Sequence, residues 1–225
     1  MSLLNHSLGS LARDIPGATR VLHHYRLDYC CDGSDLLSEA LAKRGLDAAE
    51  VLTRLESLPA RNEDETNWSR ATTDQLIDHI IDRYHEVHRT QLATLSDLSR
   101  RVELTHTDHA ECPHGLADHL ETLRQELESH MQKEEQILFP MLRKGMFTPA
   151  QAPISVMRME HDDHSQALAR LMELTDYLAL PAGACASWQA LYAGIGELYT
   201  DLMQHIHLEN NILFQTSTRQ EVQHG

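Results

Sequence analysis

Apolar positions along most of this chain recur at intervals of three and four, the period of an amphipathic α-helix, and strand-like alternation is nearly absent. Four long stretches carry the pattern, at roughly 72–100, 113–144, 151–179 and 184–216. The first connection, from Arg101 to Cys112, is polar, and His106, His109 and His114 read there as surface residues. The second contains Gly145 and Pro149, and the third Pro181 and Gly183. Four long helices with short links predict an up-down-up-down bundle.

Shorter amphipathic helices precede it. Asp14-Ile15-Pro16 reads as one start, because proline in a first turn needs no donor, and Ala18, Val21, Leu22 and Tyr25 follow on one face. Ser34 or Asp32 can cap a second helix that Gly45 stops, and Asp47 opens a third through Leu58. The polar run Pro59–Asn67 has no apolar period. The expected organisation is therefore all-α: a small helical domain over 1–58, a linker over 59–69, the bundle over 70–218 and a tail over 219–225.

Glycine (10) and proline (7) are sparse among 225 residues, in keeping with long helices. A net charge of −15 argues against general binding to DNA or RNA, which depends on neutralising phosphates with Lys and Arg. No stretch has the length and apolarity of a membrane-spanning helix, and the opening residues lack a basic segment followed by an apolar run, so a cytoplasmic protein is expected. Four scattered cysteines, Cys30, Cys31, Cys112 and Cys185, suggest a reducing compartment rather than a disulfide framework.

Sixteen histidines change the picture, because several fall in a repeat. The second long segment reads His130-Met-Gln-Lys-Glu134 and the fourth His205-Ile-His-Leu-Glu209, and Ile-Leu-Phe follows each glutamate at the same distance. The first segment offers His85-Glu-Val-His88 and the third His161-Asp-Asp-His164; His85 precedes His130 by 45 residues and His161 precedes His205 by 44. One helix pair has been written twice. Residues four apart share a helical face, so His130 with Glu134 and His205 with Glu209 each present an imidazole and a carboxylate to one interior point, with His85 and His161 opposite. Four imidazoles and two carboxylates in a dry interior call for a cation. Two metals, each on two histidines and both spanned by Glu134 and Glu209, satisfy the set, with water, oxide or hydroxide as a further bridge. Non-haem iron suits nitrogen and oxygen ligands with open positions, while manganese and zinc stay open on coordination chemistry alone.

Around this core, Glu160 beside His161 is placed to line an access path, offer a proton or influence a bridge, and Glu135 to support from the periphery. His88 and His164 can orient ligands, whereas His79 and His207 point away from them. Leu138, Phe139, Leu213 and Phe214 read as packing that excludes water. Cys30 and Cys31 lie at a turn before a helix, where amide donors and the helix dipole favour thiolates and Asp28 and Asp32 oppose them; metal binding, persulfide or disulfide exchange, and reaction with nitric oxide are the chemistries open to the pair. Cys112 and Cys185 stand isolated in sequence.

Asp28-Tyr29-Cys30-Cys31 ahead of a bundle carrying His85, His130-x3-Glu134, His161 and His205-x3-Glu209 resembles the repair-of-iron-centres family, the YtfE/ScdA-like di-iron proteins, over nearly the whole length. The resemblance implies an ScdA-like N-terminal module and a hemerythrin-like bundle holding two non-haem irons, with an oxo or hydroxo bridge, on those six residues. It makes Glu134 and Glu209 the bridging carboxylates and sets Glu160 beside the site and its channel. By the same resemblance Glu160, Cys30 and Cys31 are the candidates for chemistry beyond ligation. Implied partners are damaged iron-sulfur proteins, nitric oxide or oxygen species and an electron donor, with no membrane and either a monomer or a homodimer. The implied role is repair of iron-sulfur clusters after nitrosative or oxidative stress, by iron release and nitric oxide reaction. Reduction of nitric oxide to nitrous oxide, or non-catalytic carriage or sensing of oxygen or nitric oxide, remain alternatives. The family more usually has Gly-Gly after the cysteine pair; here Asp32-Gly33 adds a charge that works against a thiolate.

Overall fold

A computed structural model describes residues 2–59 and 67–215. It is all-α, and the chain divides into two compact units, one comprising residues 77–203 and the other residues 1–76 with 204–225. The expected linker falls largely on residues 60–66 and the expected tail on 219–225, both outside the described residues.

The larger unit is built from four rods. The first joins α5 (Thr73–Ile80), a π-helical turn (Ile81–His85) and α6 (Glu86–Thr105). The second joins α7 (Leu116–Lys133), a π-turn (Glu134–Leu138) and α8 (Phe139–Arg143). The third is α9 (Phe147–Leu174), and α10 (Ala186–Leu208) supplies the fourth. Side-chain pairings give their directions. His85 near the start of the first rod meets Glu135 on the second, while Glu103 near its end takes the backbone N–H of Ala117, so these rods run antiparallel. His119 bonds to the carbonyl of Ala167 and His130 to Glu160, which makes the second and third antiparallel as well. Arg83 and Gln91 both donate to Asp201, and His106 meets Cys185, setting the fourth rod against the first in the same sense.

Each rod buries an apolar stripe, with Leu92, Leu95 and Val102 from the first and Leu116, Leu120, Leu123 and Leu127 from the second. Ile154, Leu168 and Leu171 come from the third, and Trp188, Leu191, Ile195 and Leu198 from the fourth. Phe139, from the run expected to pack, is 1% exposed, whereas Ile137 before it is 53% exposed and faces solvent.

Several boundaries differ from expectation for local reasons. The first rod runs on to Thr105, because the polar run after Arg100 keeps helical backbone. The third starts at Phe147 rather than 151, since Pro149 falls in the first turn where its missing N–H costs nothing. It ends at Leu174, and Asp176, Tyr177 and Leu178 then take left-handed backbone angles in a short 3₁₀ turn. His106 and His109 are half-buried against the ring of Trp188 rather than on the open surface, and Cys185 is not isolated, because His106 Nε2 lies 3.2 Å from its sulfur.

The smaller unit contains α1 (Leu8–Asp14), α2 (Ala18–His24), α3 (Leu37–Arg44) and α4 (Ala48–Glu56), together with the end of α10 from Gln204 and a third π-turn (Glu209–Leu213). Leu8, Leu11, Leu22, Leu37, Leu41, Val51 and Leu55 form its core with Leu208, Ile212, Leu213 and Phe214. Asp47 caps α4 through the N–H of Ala49, as expected, and Gly45 ends α3 at a φ of 63° that a side chain would strain. Pro16 precedes α2 by two residues instead of entering its first turn, and Glu39, not Ser34 or Asp32, reaches back to the N-terminus of α3.

Gly33 is required by space. A methyl group there would lie 2.7 Å from the side-chain oxygen of Asn211 and 3.0 Å from the carbonyl of Tyr29. Gly33→Ala is expected to destabilise the smaller unit by about 1–3 kcal/mol, read as a lower urea midpoint, because the backbone on one side cannot give way.

Candidate metal centre

Three π-turns occur among the described residues, and each carries a histidine or glutamate picked out by the repeat. A π-turn inserts one residue into an α-helix and re-aims the side chains around it. His85 closes the first such turn, Glu134 opens the second and Glu209 opens the third. His161 sits on uninterrupted α9.

In the larger unit, His85, His130, Glu134 and His161 are all at most 1% exposed. Nε2 of His85 and Nε2 of His130 each lie 3.4 Å from the same Glu134 oxygen, Oε2. His161 Nε2 is 3.1 Å from His130 Nε2, and one ligand atom from each of His130, Glu134 and His161 falls within 4.8 Å of the others. The outward ring nitrogens decide the chemistry. His85 Nδ1 is 2.8 Å from Glu135 Oε1, and His130 Nδ1 is 2.9 Å from Glu160 Oε2. An ionised carboxylate only accepts, so each Nδ1 carries a hydrogen, and in the neutral imidazole each Nε2 then turns a lone pair toward Glu134. Lone pairs converging on a carboxylate in a dry interior are the arrangement a metal cation satisfies, and a carboxylate behind each imidazole is the usual support for such a ligand.

Those supports are themselves held. Arg89 donates to Glu135, Glu128 and Glu86. Lys133 donates to Glu160, whose carboxyl is pulled down to about 2 by its bond to His130 and then by Lys133. The ring of His85 also stacks on Phe139. His164 sets its edge against His130, and His88 bonds to Gln91. A surface cavity of about 560 Å³, lined by Glu126, Ser129, Lys133, Glu160, Asp163 and His164 among others, opens beside this support.

The smaller unit repeats the motif. His205 Nε2 lies 3.1 Å from Glu209 Oε1, with both side chains buried and the glutamate again first in its π-turn.

Residues 76–216 match the family model of the hemerythrin HHE cation binding domain, and residues 4–59 match ScdA_N, a domain of unknown function. The chain is 49% identical to the iron-sulfur cluster repair protein YtfE of Musicola paradisiaca, covering 96% of this chain and 97% of that protein. It is 47% identical to YtfE of Pectobacterium atrosepticum, over 98% and 100%, and 48% identical to a probable iron-sulfur cluster repair protein of Haemophilus influenzae, over 95% and 97%. The chain belongs to the YtfE/ScdA-like iron-sulfur cluster repair family.

In this YtfE-like chain, Cys30 and Cys31 lie in the smaller unit with their sulfurs 3.8 Å apart, too far for a disulfide. The amide donors expected to favour thiolates are taken: Asp28 Oδ1 accepts from the N–H of Cys30 and of Cys31, each at 3.0 Å, and from the Cys30 thiol at 3.1 Å. The hydrogen bond to Cys31, burial and the Asp28 charge all push the Cys30 thiol well above its usual range, so Cys30 is a protonated thiol at neutral pH. The two sulfurs and the Asp28 carboxylate also form a group compact enough to hold a metal ion.

Arg89, Glu128, Lys133, Asn210 and Asn211 are not among the repeated positions that mark the ligands. Arg89 falls one turn from His85 and Lys133 precedes Glu134, so charge pairing at helical spacing was the available signal. His207 was expected to point away from the ligands; it packs on Tyr29, and its Nδ1 accepts from Asn211 at 3.1 Å.

Burial pushes the His207 imidazole down to about 4 from 6.5. With the folded value below the unfolded one, the unfolded chain takes up the proton first, so stability falls as pH drops from about 6.5 and levels off below about 4. Urea unfolding followed through that window should show this loss for the native protein and a flatter profile for His207→Asn.

Proposed function

We propose that this chain is a di-iron protein that supports repair of iron-sulfur clusters damaged by nitrosative or oxidative stress. His85, His130, Glu134, His161, His205 and Glu209 would hold two non-haem irons, with an oxo or hydroxo group as a further ligand. Glu134 and Glu209, the two equivalent carboxylates of the repeat, would be shared between them. The observation that carries the metal reading is the convergence of His85 and His130 on Glu134, each imidazole turned inward by its own carboxylate. The same His-x3-Glu register at the third π-turn supports its extension to His205 and Glu209. The repair reading is supported by near full-length similarity to proteins named for that role.

Bound iron would supply redox chemistry and open positions for a small ligand such as nitric oxide or an oxygen species. The protein's own part is to exclude water with Phe139 and Leu138, to fix both tautomers through Glu135 and Glu160, and to keep a polar opening beside Glu160 and Lys133. Glu160, ionised by its two cationic or donor neighbours, orients His130 and is poorly suited to give up a proton at neutral pH. Nothing among the described residues is long and apolar enough to cross a membrane as a helix. A cytoplasmic setting, damaged iron-sulfur proteins as clients and a separate electron donor complete the proposal.

His130→Ala combined with Glu134→Ala is expected to abolish paired iron in anaerobically purified protein, read by metal analysis and Mössbauer spectroscopy, together with restoration of a nitric-oxide-damaged [4Fe-4S] protein. Full repair by an iron-free variant would sink the proposal. Repeated nitrous oxide formation by the native protein, with no cluster restored, would replace it with a nitric oxide reductase. Glu135→Gln and Glu160→Gln should each keep the fold and weaken iron binding by roughly 10–100-fold in chelator competition.

A further inference from the structure

In the repeat, the position after each π-turn glutamate is filled differently. Glu135 follows Glu134 and holds an imidazole, whereas Asn210 follows Glu209. Asn210 and Asn211 are buried, 5% and 6% exposed, and both reach back to the cysteine loop. Asn210 Nδ2 donates to the Cys30 carbonyl at 3.1 Å. Asn211 Nδ2 donates to the Tyr29 carbonyl at 3.1 Å and lies 3.4 Å from that of Cys30. Room for Asn211 is reserved on two sides, since a methyl group at Gly9 or Gly33 would fall 2.5 Å or 2.7 Å from its Oδ1. Asp28 grips the other polarity of the same loop through the two cysteine amides. Buried amides and carbonyls that lose such partners are costly, so the loop and the π-turn hold a joint position.

Cys30 is 1% exposed. Any group added to its sulfur displaces the thiol from Asp28 and has to open the loop, which pulls on the carbonyls held by Asn210 and Asn211. Asn210 is covalently next to Glu209, so a displacement of its side chain acts directly on the backbone that aims the carboxylate. We propose that Asn210 and Asn211 are positioning residues that couple the Cys30–Cys31 loop to Glu209, so that metal held at Glu209 tightens the cysteine loop and modification of Cys30 loosens the metal. This rests on the reading of Glu209 as a metal ligand. Coupling of this kind is reciprocal: whatever metal does for the loop, opening the loop undoes for the metal.

The test uses the full-length protein, loaded anaerobically with ferrous iron or stripped with a chelator, and follows iodoacetamide alkylation of each cysteine by peptide mass spectrometry. In the native protein, iron is expected to slow alkylation of Cys30 by about fivefold or more, the lower end of typical coupling. Alkylation of Cys30 is in turn expected to shift the Mössbauer quadrupole splitting of bound iron. Asn210→Ala should keep its iron and lose both effects. Asn210→Asp, which keeps the side-chain size and removes the donor, should behave alike and stands in if the alanine variant does not fold. Iron-bound native protein whose Cys30 reactivity ignores the metal would overturn the coupling alone, as would variants that retain the native dependence. A native chain that holds no iron would overturn the ligand reading and the coupling with it, and metal analysis before alkylation separates that outcome from the others.

Discussion

The candidate centre depends on which nitrogen of each imidazole faces inward. Glu135 and Glu160 settle this for His85 and His130 by accepting from Nδ1, and the cations around them hold those two carboxylates in place. Arg89 spans Glu86, Glu128 and Glu135, tying two turns of one rod to the adjacent rod. Lys133 does the same for Glu160 across to α9. Partly exposed ion pairs of this kind contribute little to stability one by one. Here their effect is orientational, because a rotated carboxylate would leave the wrong tautomer facing Glu134.

Most of the architecture could be read from the chain, because it follows from periodicity. The four rods, the Gly45 stop, the Asp47 cap and the duplicated His-x3-Glu were visible as spacing. What the spacing could not carry was backbone that departs from the α-helix. The π-turns at Ile81–His85, Glu134–Leu138 and Glu209–Leu213 leave no mark in an apolar pattern, since each adds a single residue within an otherwise helical run. Ile137, solvent-facing beside buried Leu138 and Phe139, is one trace of that irregularity.

The cysteine loop follows expectation in one respect and departs in another: the Asp28 charge opposes a thiolate at Cys30, but the loop amides are not open to favour one. A turn ahead of a helix ordinarily leaves its amides available, but Asp28 Oδ1 captures two of them together with the Cys30 thiol. Nothing in the local sequence separates an aspartate that repels a thiolate from one that occupies the donors a thiolate would use. Arg89 and Asn211 have partners within one helical turn, Glu86 and His207, but the contacts that tie them to the ligand supports and the cysteine loop span 39 to 182 residues, beyond the reach of local pattern.

The π-turns also make chain length, and not only side-chain identity, part of the centre. Loss of one residue between 135 and 138 would return that rod to α-helical hydrogen bonding without displacing Phe139, whose N–H already bonds to the carbonyl of Glu134, but would re-aim the side chains inside the turn. Glu135, which now holds Nδ1 of His85, would lose that aim while every proposed ligand stayed in the sequence. Single-residue deletions here therefore act through the support of a ligand and not on the helix beyond, whereas an insertion or deletion in the polar run 106–111, between helices, leaves the register of both rods intact.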